Sequence, residues 1–309
     1  MNRRAHSLAI PALLALVAAL SATSGARAAE PLGIEAPTPS PPAPGGTDQA
    51  VVARYWEIGR TRPFLAGTVD AGFLYLKPRF SAGYGRPFWS FVAAEGYPVV
   101  GTGGLGLYSG FSAAIPGLTF RLGSRYYYPF SRTLLRPQPS FTRSDLDLEL
   151  GPAGDYMAFE SELTFTLPAF RGSLFGVLSG YRTARVPQNY YVFEDSLRVV
   201  MAPPYVWRTR LGYLASFGAR GAIRFGGAAE LIGLPGRDEI VMRAGVLASV
   251  SISAELEAQA SLIPVILSPD SIGLAGGDFG QLGLRYRWAT DSTPDPERLR
   301  DAVEKSGRP

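Results

Sequence analysis

One stretch constrains the fold more than any other, because its side chains alternate between two faces over eight residues. In Gln281 to Trp288 the even positions are apolar and end in Tyr286 and Trp288, while the odd positions include Arg285 and Arg287. Successive side chains of a β-strand point to opposite sides. The stretch therefore predicts a strand with one apolar and one charged face, as in a wall between lipid and water.

The same unit recurs between about Leu65 and Trp288, as runs of roughly ten alternating residues separated by Gly, Pro, Asn or Asp. The pattern predicts an all-β fold, a transmembrane antiparallel up-and-down β-barrel. The runs are 65–77, 79–92, 99–113, 118–130, 142–151, 156–168, 172–184, 190–201, 205–217, 220–233, 238–250, 253–263 and 278–288. Because such barrels normally have even strand numbers, we expect about twelve strands, with ten or fourteen as alternatives. We expect 190–201 to be a loop.

A soluble β-sandwich would alternate in the same way and is the main alternative fold. Its dry core would exclude the arginines and carboxylates that occupy one face of these runs. Aromatic residues also collect at the ends of the runs, which favours girdles at two membrane interfaces. Both features favour the membrane barrel.

The closing residues of the repeat carry a family resemblance. The order polar-x-Gly-x-x-aromatic-x-aromatic, over Gln281, Gly283, Tyr286 and Trp288, resembles the closing-strand signal of Gram-negative outer-membrane β-barrels. The resemblance implies a porin-like barrel in outer-membrane lipid, with this strand recognised by the barrel assembly machinery. In that family the last aromatic usually ends the chain, whereas here 21 residues follow Trp288.

The N-terminus has the pattern of a secretory signal peptide. Arg3 and Arg4 precede an apolar run from Leu8 to Leu20, and Ala26-Arg27-Ala28 supplies small residues at cleavage-site spacing. The run is too short to span a bilayer. The sequence therefore predicts export across the inner membrane.

Four segments follow from these patterns. Residues 1–28 are the signal peptide, and 29–61 form a Pro-rich lead with a possible short helix at 50–58. Residues 62–290 form the barrel, and 291–309 form a polar tail. An even strand number places both termini in the periplasm, where the lead or the tail could bind a partner.

Composition excludes several classes of function. Removing the signal peptide takes away three arginines and leaves 27 basic against 26 acidic residues, a net charge of about +1 that gives no support for nucleic-acid binding. The chain has no cysteine, and its one histidine, His6, lies in the signal peptide. The mature chain therefore lacks the usual base of outer-membrane enzymes, and we expect neither an enzyme nor a cofactor nor a metal site.

Two motifs resemble known binding sites only superficially. Gly101 to Gly106 matches G-x-G-x-x-G, but a strand-like segment follows it where a dinucleotide site needs a helix. Asp145, Asp147 and Glu149 resemble a calcium loop, but leucines alternate with the acids. Paired carboxylates could also form a glycosidase site, although a wet wall explains them as well.

The charged faces predict a lumen with opposed walls. Neighbouring antiparallel strands bring such charges within reach of one another. The predicted lumen charges are Arg121, Arg125, Asp145, Asp147, Glu149, Glu160, Glu162, Arg208, Arg210, Glu255, Glu257, Arg285 and Arg287, and Arg182, Arg224 and Arg243 extend a basic stretch.

Three functions fit this lumen. The first is a pore for small polar or charged solutes, selected by the transverse field of the charges. The second is a narrow lumen filled by its own ion pairs, which would conduct little. The third is a non-conducting anchor of a trans-envelope assembly for secretion, polysaccharide export, adhesion or surface motility, favoured by the lead and the tail.

Overall fold

The computed structural model describes Trp56 and most of the chain from residue 60 to residue 290. The described ranges are 60–72, 75–101, 104–130, 134–146, 154–218, 221–278 and 282–290. The predicted signal peptide, the tail and most of the Pro-rich lead lie outside them. Among the described residues, no helix has both the length and the apolar character needed to cross a bilayer.

Twelve antiparallel strands form one closed barrel, in which each strand pairs with its two neighbours. The strands are β1 Arg62–Gly72, β2 Tyr75–Arg86, β3 Ser90–Gly101, β4 Gly104–Ile115, β5 Leu118–Pro129, β7 Tyr156–Ala169, β8 Gly172–Ala184, β11 Tyr205–Phe217, β12 Ile223–Leu234, β13 Glu239–Ser251, β14 Leu256–Leu262 and β16 Gly283–Ala289. A short strand, β15 Val265–Leu267, continues β14 along β13. The predicted fold class and strand number are confirmed.

Three short strands form a separate sheet: β6 Leu134–Leu135, β9 Tyr191–Glu194 and β10 Val199–Met201. The described helical segments are one turn of α-helix, α1 Arg143–Leu146, and one 3-10 turn, Gly273–Gly276. The strand content therefore dominates the described chain, as the alternating runs predicted.

The barrel closes where its last strand meets its first. β16 pairs with β1 from Ala289 opposite Ala66 to Gly283 opposite Gly72. The strand predicted over Gln281 to Trp288 is thus the closing strand, and its apolar side chains point outward. Its two arginines point inward, where each pairs with a carboxylate.

The first three predicted runs were wrong in their boundaries, because four strands occupy this part of the chain. β1 ends at Gly72 and β2 begins at Tyr75, and the sequence between them, Phe-Leu, carries no turn signal. Pro78, expected to end a strand, instead lies inside β2. It stands opposite Pro98 of β3, in a gap of the hydrogen-bonded ladder between the pairs Leu76–Val100 and Phe80–Gly96. Because both prolines lack an N–H group, placing them opposite each other confines the missing hydrogen bonds to one position in the wall.

The run at 142–151 was also wrong as a barrel strand. Its described part contains α1, and β5 pairs directly with β7, so no wall strand lies between them. Thr142 precedes this helix and its N–H binds the carboxylate of Asp145, a local pairing that favours a helix start over a strand. The run at 190–201 lies outside the wall, as predicted, and supplies β9 and β10.

The two ends of the barrel differ in their connections. The end that carries Arg62 and Ala289 has only short turns: 87–89, 116–117, 170–171, 218–222 and 252–255. The opposite end carries the long connections 130–155, 185–204 and 268–282. We call these the terminal end and the loop end.

The outer face is apolar, and its tryptophans lie over glycines of neighbouring strands. Trp288 stands opposite Gly67, where an added Cβ would lie 2.2 Å from the indole Nε1. Trp207 stands opposite Gly233, where an added Cβ would likewise overlap the indole ring. The glycines therefore give both indole rings room to lie against the wall.

Replacing Gly67 by valine should weaken closure, because the valine side chain and the Trp288 ring cannot occupy the same space. Overpacking of this kind costs about 1–3 kcal/mol. We expect a lower temperature at which the folded band is lost in heat-modifiability gels. Ala71→Val, on the exposed outer face of the same strand, is the matched control. Equal behaviour of the two variants would contradict this account of the seam.

Candidate functional site

Strand alternation turns one set of charged side chains into the lumen. The predicted residues on this inner face are Arg121, Arg125, Glu160, Glu162, Arg208, Arg210, Glu257, Arg285 and Arg287, together with Arg224 and Arg243. Arg182 is an exception, because it is exposed and lies 5.7 Å from the ring of Tyr205, its cross-strand partner. The inner face is thus lined by both signs of charge.

A chain of alternating charges crosses the wall from β3 to β11. Arg121 donates to Glu95 through Nε at 2.8 Å, and its Nη1 lies 3.8 Å from Glu162. The other carboxylate oxygen of Glu162 accepts a hydrogen bond of 3.1 Å from Arg208. Four strands are therefore linked by one ion-pair network.

The rest of the lumen has further ion pairs. On the far wall, Glu230 accepts from Arg210 at 2.7 Å and from Arg243 at 2.8 Å. Near the terminal end, Glu257 lies 2.9 Å from both Arg224 and Arg287. Further pairs are Arg285 with Asp70, and Arg210 with Asp278.

Some predicted residues do not lie on this face. Asp145 lies in α1, where hydrogen bonds from the backbone N–H and hydroxyl of Thr142 lower its pKa. Glu255 lies in the turn before β14 and accepts a hydrogen bond from Ser253 at 3.0 Å. Its backbone carbonyl accepts from the N–H of Arg287. Asp147, Glu149 and Gln281 lie outside the described residues.

Sequence reasoning missed lumen charges in the first three strands. Asp70, Lys77, Arg79 and Glu95 all point inward, on strands whose boundaries were misplaced. The spacing of Lys77 and Arg79, two residues apart within β2, was the signal available once the end of β1 at Gly72 is recognised. Glu230 was missed although it lies opposite Arg243, a predicted basic residue.

Three segments of the chain fold together and enter the lumen from the loop end. They are residues 134–146, 191–201 and 268–278, and we call them together the mouth plug. Its centre is the sheet in which β9 pairs with both β6 and β10. The third segment is joined to the first by a hydrogen bond of 2.7 Å from Ser271 N–H to the carbonyl of Phe141.

The plug packs against one half of the wall through a shared apolar core. Burial of each large side chain in it contributes about 1.5–3 kcal/mol. The plug residues of this core are Leu134, Val192, Leu197, Val199 and Met201, and the wall residues are Tyr127, Tyr156, Ala158, Tyr181, Val206, Ile232, Leu234 and Val241. The core thus fixes the plug to strands β5, β7, β8, β11, β12 and β13.

A buried carboxylate at the plug tip ties it to β5 and β7. Glu194 is fully buried and forms an ion pair of 2.5 Å with Arg125. It also accepts hydrogen bonds of 2.7 Å from the hydroxyls of Tyr156 and Ser196. Burial by itself would raise the pKa of Glu194, but Arg125 and these hydrogen bonds outweigh it and lower the pKa. Glu160 lies 2.8 Å from the Nε atom of the same Arg125.

Two arginines donate hydrogen bonds to backbone carbonyls of the plug. Arg243 of β13 donates to the carbonyls of Leu197 and Arg198 at 2.7 and 3.1 Å. Arg237, in the turn between β12 and β13, donates to the carbonyl of Val200 at 3.0 Å and to Asp270 at 2.7 Å. A buried carbonyl left without a donor costs about 1–3 kcal/mol, so these contacts stabilise the plug's position.

Replacing Glu194 by glutamine should loosen the plug without opening the wall. A hydrogen bond to a charged group contributes about 1.5–3 kcal/mol, so we expect amide exchange in 191–201 to accelerate tenfold or more. Exchange in the barrel strands should be unchanged. Asp195→Asn makes the same charge change at the neighbouring position and is the control. Unchanged exchange in Glu194→Gln would contradict the anchoring role.

The architecture is that of the outer-membrane β-barrels. No family model matches the chain, and no curated protein matches it. The NanC porin is a similar solved structure, at 8% identity, a TM-score of 0.34, and coverage of 74% of this chain and 97% of that one. OmpT of Vibrio cholerae with loop L8 deleted matches at 7% identity and a TM-score of 0.34, covering 75% of this chain and 100% of that one. These values are too low to carry an argument about function.

Proposed function

We propose that the protein is a passive channel of the Gram-negative outer membrane for small polar or charged solutes. The observation that carries the proposal is a closed barrel with an apolar outer face and a charged lumen that is accessible to water. Lipid outside and water inside are the two environments that these faces suit. We propose no enzymatic activity, since the chain has no cysteine and its one histidine, His6, lies in the predicted signal peptide.

The accessibility of the lumen charges supports a wet interior. Arg285 and Arg287 keep 31% and 26% of their side-chain surface exposed inside a closed wall, and Glu162 keeps 26%. At the plug, by contrast, Arg243 keeps 3% and Glu230 keeps none. We infer that water reaches Arg285, Arg287 and Glu162 from inside the barrel, while the partners Asp70 and Glu257 keep 9% and 8% of their side-chain surface exposed.

The strand number and the plug favour a narrow, selective path over a wide one. Eight strands enclose a lumen just wide enough to be filled by side chains, whereas sixteen or more leave an open aqueous channel. Twelve strands lie between these limits, and the plug reduces the lumen further at the loop end. Ion pairs along the remaining wall then set the field that a solute crosses.

The connections give the proposed orientation. Outer-membrane barrels have short turns on the periplasmic side and longer loops outside. The terminal end would therefore face the periplasm, and the mouth plug would face the exterior. We also propose that the barrel assembly machinery recognises the closing strand through Gly283, Tyr286 and Trp288, together with Gln281.

Refolded, signal-free protein in a planar bilayer should give steady openings with a reproducible ion preference. Replacing Glu162 by glutamine frees Arg208 from its carboxylate and should raise the ratio of anion to cation permeability by roughly twofold or more. Reversal potentials under unequal salt measure this ratio. Asp155→Asn, at the start of β7, where Asp155 binds the hydroxyl of Tyr126, is the charge-matched control. A folded barrel that stays silent would contradict the channel.

A second function, a non-conducting anchor in a trans-envelope assembly, is favoured by the position of Trp56. This residue of the Pro-rich lead stacks edge-on against Phe88, with ring centroids 4.7 Å apart. Its indole N–H also donates to the carbonyl of Ala254 at 3.0 Å. Both contacts are with terminal-end turns, so the lead joins the barrel at its proposed periplasmic face.

Deleting Glu30 to Gln49 separates the two functions, because the deletion leaves Trp56 and the barrel intact. We expect conductance of the shortened protein to be unchanged if the barrel is a channel. Loss of co-purifying envelope proteins, compared with the full mature chain after mild cross-linking in cells, would favour the anchor.

A further inference from the structure

Ion pairing in the lumen leaves two neighbouring cations without a counter-charge. The arginines with carboxylate partners are Arg121, Arg125, Arg208, Arg210, Arg224, Arg243, Arg285 and Arg287. Lys77 and Arg79, two residues apart on the inner face of β2, form no ion pair or hydrogen bond within the described part of the chain. The Nε atom of Arg79 is shielded from solvent and has no partner.

The carboxylates nearest to this pair are committed elsewhere. Asp70 stands opposite Lys77 on β1 but forms an ion pair of 2.5 Å with Arg285. Glu95, on the other neighbouring strand, holds Arg121 through both Nε and Nη2. The paired arginines thus each have a carboxylate partner, whereas Lys77 and Arg79 have none among the described residues.

An aromatic stack holds both cations in place. Lys77 Nζ lies 4.3 Å from the ring centroid of Tyr97, and the Arg79 guanidinium lies 5.2 Å from it. The other face of Tyr97 stacks on Tyr108 at 4.5 Å. A cation over an aromatic face is attracted to it but keeps its charge. The stack therefore orients the two side chains without neutralising them.

The pair lies opposite the plug, at a similar depth. In the order of strands around the barrel, β2 is half a turn from β11, which lies within the plug-bearing half of the wall. Glu160, which pairs with Arg125 beside the plug tip, also lies close enough to act electrostatically on Lys77. A solute passing the plug therefore passes these two cations.

We propose that Lys77 and Arg79 bind a small oxyanion, a carboxylate or phosphate group, and that this site makes the channel prefer anionic solutes. The inference rests on the proposed function, whose substrate class it names. An uncompensated pair of enclosed like charges is costly, and an oxyanion would supply both the charge and the acceptors that the wall lacks. The planar guanidinium of arginine binds either oxyanion through two parallel hydrogen bonds, and lysine adds a point charge.

Binding of trifluoroacetate to refolded protein in detergent, followed by ¹⁹F NMR line width, tests the site without requiring conduction. We expect saturable broadening that formate or phosphate displaces, and their relative potency identifies the preferred oxyanion. Lys77→Gln and Arg79→Gln should each weaken binding about tenfold. Arg224→Gln removes the same charge elsewhere but leaves Glu257 paired with Arg287, so it should bind normally.

One further variant, compared with Arg224→Gln, which removes the same charge, tests the role of Asp70. Arg285→Gln frees Asp70, which stands opposite Lys77, so it should weaken trifluoroacetate binding although Arg285 lies outside the site. Absence of saturable broadening in the unaltered protein, or normal binding after substitution of both Lys77 and Arg79, would overturn the inference. If the barrel conducts but does not bind trifluoroacetate, the proposed channel function stands and the proposed site is wrong. If the barrel binds trifluoroacetate but does not conduct, the site stands and the channel function is wrong.

Discussion

The pairing of β16 with β1 is the interaction on which the rest of the structure depends. A wall that faces lipid cannot leave backbone N–H and C=O groups unpaired, and only a closed sheet satisfies them all. Once the wall closes, each side chain of a strand points either outward or into the lumen, because successive side chains alternate. The apolar set faces outward, and Gly67 and Gly233 make room there for the two tryptophans. The charged set must then share one enclosed space.

Enclosure makes charge pairing the second constraint. An ion taken from water into a lumen needs a partner, and most lumen arginines find one on a neighbouring strand. Glu162 serves arginines on both sides of its strand, and Glu257 does the same near the terminal end. The plug uses the same chemistry in a drier setting, where Glu194 is fully enclosed by Arg125, Tyr156 and Ser196. The most deeply buried of these charges, Glu194, Glu230 and Arg243, thus lie where the plug packs.

Sequence reasoning succeeded where alternation was regular and punctuated, and failed where either was missing. The strands that carry Arg121, Glu162 and Arg208 were placed correctly, because Gly or Pro separates them and each has two clear faces. The first strands were misplaced, because no turn residue stands in the sequence between β1 and β2 and because Pro78 is accommodated opposite Pro98. At Asp145 alternation was present, but a local cap competed with a strand and prevailed.

The sequence by itself determined the class of fold, the inward and outward faces of most strands, and therefore which side chains are enclosed. These properties follow from a two-residue period that needs no knowledge of neighbours. Only the tertiary structure decided the pairing of charges, because a partner depends on register between strands distant in sequence, as with Asp70 and Arg285. It also decided the plug, since the three segments that form it are far apart in sequence and gain their order from burial against the wall.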